Sequence, residues 1–332
     1  MEDIVYYRLP EADKYYVLRG ATRELGSMSE LNGVSGFVMA PFERDREHPL
    51  MLFMSSGIDQ FPVPTDFHHE AVQWREIYNR ADYRYSFSQM HRLLADGVLD
   101  KVVLAKRSDC KVNFWKGEVE DLFFNACQLY PHQMVVLVKS RRIGVWLMAT
   151  PEVLLERKDR RWHTMALAGT QTEDVPWNLK NQREQRIVSE YVQNTLKPYV
   201  DDMQTVGPRT AKAGNLYHLC TDFSFTIKPN VKDSQLIESL HPTPAVCGLP
   251  KEAALSAIES FETISRGYYS GFCGPWNIHD ESHLYVSLRC MQMYDERNFS
   301  LYAGGGLLKE SRDKEEWEET EAKMNVMRRL LE

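Results

Sequence analysis

The sequence predicts an α+β protein built on antiparallel sheet, and three observations carry that reading. Short strand-like runs follow one another with only turns between them, as in MVVLVKSRRIGVWLMAT and then ATPEVLLER and WHTMALAGT. Helical periodicity is confined to a few separated segments, so strands and helices are grouped, not alternated as a parallel sheet would require. No strand is followed by GxGxxG or by a phosphate-cradling GxxxxGK with Ser or Thr behind it, so nucleotide-dependent chemistry loses support.

Residues 1 to about 65 read as strands joined by loops, because apolar runs such as GFVMAPF and PLMLFMSS are broken by turn residues. From about Phe67 to Ala95 the pattern is helical, and Gly97 is placed to end it in a left-handed conformation. The β-branched run LDKVVLAKR follows, so Lys101 stands at the head of a strand. Two strands then flank a turn near Ser140 to Arg142. Between Trp177 and Pro198 the period becomes 3.6, with Ile187, Val188, Tyr191 and Val192 marking a buried stripe. A linker with Pro208 and Gly214 leads to another strand-like run, the segment LHPTPAVCGLP, a helix from Lys251 to about Ser265 and a second strand-rich region. A last helix is expected from about Asp313 to Leu331, capped by Ser311.

Composition narrows the function. In 332 residues, 43% are hydrophobic and 26% charged, the balance of an ordinary globular chain. Lys plus Arg number 40 against 47 Asp plus Glu, a net charge of -7 without any long basic run, so no nucleic-acid partner is expected. No apolar stretch approaches membrane-spanning length and the N-terminus lacks the order of a signal peptide, so no membrane association is expected and the cytoplasm is the expected compartment. The six cysteines, Cys110, Cys127, Cys220, Cys247, Cys273 and Cys290, form no CxxC pair and read as reduced core thiols.

Periodicity singles out Glu184. Ile187, Val188 and Tyr191 follow it at i+3, i+4 and i+7, so its carboxylate lies on an apolar stripe, where a charge needs a cation, a metal or a cavity wall. The plain alternative is a stripe-edge glutamate that reaches solvent. In the last helix Lys323, Val326, Met327 and Leu330 share a face and Glu319 precedes Lys323 by one turn, which is either an exposed ion pair or a second inward carboxylate. Two inward carboxylates with an inward lysine suit a shared site for magnesium and an anionic substrate. Strand alternation in LYVSLRCMQM places Arg289 with Tyr285 and Ser287, able to grip a carboxylate. His279 and His283 have a metal-pair look, but Pro275, Asn277 and Asp280 mark a hairpin loop there. The run AGGGLL permits close backbone approach to an anion.

Taken in order, KVVLAKR, TPEVLLER, ALAGT, KNQREQRIV, LHPTPAVCGLP, RGYYSG, VSLRC, LYAGGGLLKES and EWEETEAK resemble the motifs of the chorismate-utilising enzymes over roughly residues 80 to 332. The resemblance implies a two-lobed α+β fold, like anthranilate synthase component I, with large antiparallel sheets, helices outside and the site between the lobes. It implies a division into residues 1–80, a shortened variable part packed on the same fold, and 81–332, the catalytic domain. It further implies that Mg²⁺ is required, held by Glu184 and Glu319, and that the substrate is chorismate. Amine-adding members usually carry glutamine where Lys101 stands, and some place a nucleophilic lysine where Ala168 stands, so no glutaminase partner is expected. HPTPAV and KNQRE resemble the isochorismate synthases of the menaquinone pathway, with related siderophore-pathway and salicylate synthases as the near alternatives. A monomer is expected, as in related synthases.

In that reaction water attacks ring C2 while the C4 hydroxyl leaves, so one group takes a proton and another gives one. The resemblance casts Lys101 as the base and Glu152 as the acid, and both roles ask for pKa values moved toward neutrality. It puts Tyr269 and Arg289 on the enolpyruvyl carboxylate, Lys323 and the backbone of Gly304, Gly305 and Gly306 on substrate anions, and Gly169 and Ala245 beside the substrate. Two departures from the family pattern, Lys106 in place of arginine and the variable Val246, touch neither proton transfer.

Overall fold

The computed structural model describes residues 3–54, 57–65, 67, 70–77 and 79–332. Apolar runs with few breaks pair into two large antiparallel sheets of ten and nine strands among these residues. The first runs in the order Gly248–Leu249, Lys101–Phe114, Asn298–Leu307, Cys290–Met293, Gly144–Thr150, Met134–Ser140, Ile4–Arg8, Lys14–Arg19 and Ile58–Pro62, with Gln73–Ile77 also paired to Lys101–Phe114. The second runs Val200–Ala213, Leu216–Ile227, Arg161–Gln171, Val153–Lys158, Ser282–Val286, Phe272–Trp276, Gly36–Ala40, Leu50–Phe53 and Thr22–Leu25. The helices are α1 (Arg80–Ala95), α2 (Val119–Leu129), α3 (Leu179–Leu196), α4 (Asp233–Leu240), α5 (Lys251–Phe261) and α6 (Asp313–Arg328). α3 packs on the strand Arg161–Gln171 of the second sheet and α6 on Asn298–Leu307 of the first.

The chain passes between the sheets at two places that matter for the site. Gly144–Thr150 belongs to the first sheet and Val153–Lys158 to the second, so the chain crosses at Pro151 and Glu152. It crosses back between Ser282–Val286 and Cys290–Met293, at Ser287 to Arg289. Hydrogen bonds tie the crossings together: the Thr150 hydroxyl donates to the Val286 carbonyl at 2.6 Å and the Val286 amide to the Glu152 carbonyl at 2.9 Å.

Four local expectations are corrected. The segment expected to be helical from Phe67 is not helical at Gln73–Ile77, which is a strand on the edge of Lys101–Phe114, because Trp74 and Glu76 alternate inward; α1 begins only at Arg80, where the Asn79 side chain accepts from the Asp82 amide. α5 stops at Phe261, short of Ser265, where Glu262 turns inward to pair with Arg266 and accept from the Ala105 amide at 2.7 Å. Ser311 does not cap α6: its hydroxyl accepts from the Leu308 amide at 3.0 Å and so braces the preceding loop. Arg289 is not on a strand face. It occupies the inter-sheet crossing with φ of 49°, so strand alternation cannot describe its side chain. Gly97 ends α1 with φ of 73°, as its position suggested.

Candidate active site

Between the sheets lies a small cavity of about 50 Å³. Its walls carry Glu152, Gly169, Glu184, Ala245, Tyr269, Arg289, Gly304, Gly306 and Lys323, drawn from both sheets, α3, α6 and both crossings. Lys101 stands directly behind Glu184, fully buried, with its Nζ 3.1 Å from Glu184 Oε1. Lys106 lies elsewhere: it stacks over the Trp317 ring and pairs with Glu321, and burial pushes its ammonium down to about 7.

The glycine strand explains how Lys101 and Glu184 meet. Asn298–Leu307 pairs with Lys101–Phe114 along its whole length, which sets Gly306 opposite Val103 and Gly304 opposite Ala105. A Cβ on Gly306 would lie 2.1 Å from Glu184 Oε1 and 3.0 Å from Lys101 Cε, so only glycine admits this ion pair. A Cβ on Gly304 would lie 2.7 Å from the Tyr269 hydroxyl. Gly305 points the other way, toward Glu316 and Thr320 of α6, as the period of two demands. Pairing with Cys290–Met293 ends at Tyr302, so beyond it the glycine run keeps one backbone edge beside the cavity free of that strand.

Charge is distributed unevenly around this space. Glu152 is buried at the crossing, and burial pushes its carboxyl up to about 7, against the pull of Lys101, Arg289 and Lys323. Burial also opposes ionisation of Glu319, but Lys323 at 2.7 Å and the nearby Lys180 outweigh it and hold that carboxyl below its ordinary value. The Lys323 ammonium also donates to the Gly304 carbonyl at 2.8 Å. Arg289 is buried with its Nη2 3.2 Å from His218 Nε2, and His218 Nδ1 is 2.8 Å from the Gly169 carbonyl. Burial and the Arg289 charge push His218 down to about 3, so the ring is neutral, donating to Gly169 and accepting from Arg289. Tyr269 is buried with its ring stacked on Tyr302 at 5.6 Å.

Three residues here escaped the sequence reading. His218 sits in the strand-like run LYHLCTDF, where nothing local separates it from a sheet residue. Lys180 opens α3 and pairs with Glu316. Glu316 was within reach of periodicity, since it lies three residues before Glu319 and seven before Lys323; it is fully buried, and burial together with the Glu319 charge raises its carboxyl. The α3 stripe itself is centred on Asn181, Glu184, Gln185, Val188 and Val192, leaving Ile187 and Tyr191 at its half-buried flank. His279 occupies a hairpin turn, and His283 bonds to Glu156 and Glu281, both at 3.0 Å, on the second sheet.

Glu184, Glu316 and Glu319 offer the hard oxygen donors that suit Mg²⁺, and Glu316 Oε2 is buried with no hydrogen-bond partner among the described residues, so the donor chemistry fits such an ion. Each carboxylate is turned onto a lysine, and among the described residues no three acidic, histidine or cysteine groups are already gathered around a common cation position.

Residues 55–332 match the family described as "Chorismate binding enzyme". The chain is 28% identical over 270 residues to the isochorismate synthase DhbC of Bacillus subtilis, covering 75% of this chain and 67% of that one. It is 31% identical over 193 residues to the vibriobactin-specific isochorismate synthase of Vibrio cholerae, covering 54% of this chain and 49% of that one, so it spans about half of that relative's length. The fold is that of MenF, the menaquinone-specific isochorismate synthase of Escherichia coli, with a TM-score of 0.80 over 99% of this chain and 89% of the other at 21% identity.

Proposed function

Because the chain belongs to the chorismate-binding enzymes and is isochorismate-synthase-like, we propose that it converts chorismate to isochorismate by adding water at ring C2 and releasing the C4 hydroxyl. The observation that carries this reading is Glu152, a carboxyl kept protonated to about pH 7 by burial at the wall of a cavity that also carries Arg289 and Lys323. In this reading Glu152 gives the proton to the departing hydroxyl and Lys101 takes one from water. Arg289, braced by neutral His218, grips the enolpyruvyl carboxylate with Tyr269, while Lys323 and the Gly304–Gly306 edge meet the remaining anionic charge, and Gly169 and Ala245 shape the wall. Glu184 and Glu319 would hold Mg²⁺, whose positive charge would meet the ring carboxylate.

We place the enzyme in the cytoplasm as a monomer without a glutaminase partner, supplying isochorismate to menaquinone synthesis. Lys101 in place of an amination-type glutamine supports the first point and the strings HPTPAV and KNQRE support the last. No helix of the described residues is long and apolar enough to cross a membrane. Incubating the purified protein with chorismate and Mg²⁺ and separating the products tests the reaction. Isochorismate alone is expected; salicylate with pyruvate, anthranilate in the presence of ammonia, or unchanged chorismate would each replace this reading.

A further inference from the structure

Glu184, Glu316 and Glu319 face three lysines, and the lysines are held differently. Lys101 is fully buried at the head of the strand Lys101–Phe114, and Lys323 is anchored by both Glu319 and the Gly304 carbonyl. Lys180 stands in the first turn of α3 and reaches in from the solvent side, with 21% of its side chain exposed, to pair with Glu316 Oε1. The charges of Glu319 and Glu184 also act on it. The second oxygen of Glu316 is buried with no hydrogen-bond partner among the described residues. A lysine is a single point charge on a flexible four-carbon stem, able to balance these carboxylates and equally able to withdraw to water.

We propose that Lys180 is a displaceable counter-ion: it balances the carboxylates of α3 and α6 until a divalent cation binds, swings toward solvent when one does, and thereby sets the cation affinity of the site. The inference rests on the metal reading above and adds a residue that touches neither substrate nor the transferred protons. Without any cation, removing Lys180 leaves buried carboxylates short of a counter-charge, which is costly. With a divalent cation, the same removal eliminates a competitor.

The test is calorimetric titration of Mg²⁺ into the full chain without chorismate, for wild type, Lys180→Met and Lys180→Arg, paired with thermal melts with and without Mg²⁺. Lys180→Met is expected to bind Mg²⁺ at least about tenfold more tightly, the scale of about 1.4 kcal/mol of relieved competition. It should melt lower than wild type in chelator and recover in saturating Mg²⁺, while Lys180→Arg stays close to wild type in both measurements. Should Lys180→Met not fold in chelator, Lys180→Gln purified in Mg²⁺ and exchanged by dialysis gives the same comparison. A folded Lys180→Met or Lys180→Gln that binds Mg²⁺ no more tightly than wild type overturns the counter-ion role alone. Absence of Mg²⁺ binding by every protein overturns the metal reading with it.

Discussion

At the residue scale the site depends on groups whose surroundings change their chemistry. Glu152 keeps its proton up to about pH 7 because burial outweighs three nearby cations, so an acid role is available below that pH and fades above it. Glu152→Gln is expected to bind chorismate yet lower kcat by at least about 100-fold, and the alkaline limb near pH 7 in wild type should vanish in the variant. A wild-type limb retained by Glu152→Gln would assign the acid elsewhere. Gly306 makes the opposite kind of contribution, through an absent side chain. Gly306→Ala places a Cβ 2.1 Å from Glu184 Oε1, so the strand or Glu184 must move. Thermal unfolding should report an overpacking cost of about 1–3 kcal/mol. Steady-state assays should show kcat reduced roughly 100-fold by misplacement of the carboxylate. Wild-type turnover in this variant would mean the Lys101–Glu184 contact is dispensable.

At the element scale, α3 and α6 bring carboxylates to the cavity, whereas the second sheet carries a charge ladder of its own away from it. Glu156 on Val153–Lys158 accepts from Tyr285 at 2.7 Å and contacts His283 at 3.0 Å and His163 at 3.5 Å, while His163 reaches Asp222 at 3.1 Å and Asp222 meets Arg209 at 2.8 Å. Burial resists charge on His163, but Asp222 and Glu156 raise it to about 9; burial likewise works against Glu156, which its three partners hold down to about 2. A histidine raised in the folded state stabilises fully below its unfolded value of 6.5 and loses that contribution as pH rises through about 9. The ladder ties five neighbouring strands, so the melting temperature of wild type should exceed that of His163→Asn at pH 6.5, and the gap should shrink by pH 9. A gap independent of pH would show that His163 contributes by packing alone.

At the scale of the whole molecule, residues 1–80 enter both sheets instead of forming a separate layer. Ile4–Arg8 pairs with Met134–Ser140, Gly36–Ala40 pairs with Phe272–Trp276, and Phe37, Val38 and Leu52 are completely buried. We propose that the division at residue 80 marks a difference in sequence character and not a unit that folds alone. Residues 81–332 expressed by themselves would expose three strand edges, on Met134–Ser140, Phe272–Trp276 and Lys101–Phe114, and a broad apolar surface, so an aggregated or non-cooperative product is expected from calorimetry. A cooperative melt of that fragment would establish it as an autonomous domain.

Local pattern was enough to read much of this from the chain. Grouped apolar runs announced antiparallel sheet, Gly97 announced the end of α1, and a 3.6 period placed Glu184 on an inward stripe, because each depends on neighbours within a turn or two of chain. The resemblance carried by the ordered motifs added the family and the list of site residues. Tertiary structure decided the rest. Gln73–Ile77 became a strand because the free edge of Lys101–Phe114 offered it hydrogen bonds, which outweigh a weak helical pattern. Arg289 took its direction from the crossing between sheets, and His218 from the pairing of Leu216–Ile227 beside Gly169. Periodicity says which face of a helix a carboxylate occupies, but the charge it meets there comes from residues far away in sequence. Lys101 opposite Glu184 and Lys180 opposite Glu316 are therefore products of how the sheets and helices pack, and with them the electrostatics on which the proposed chemistry depends.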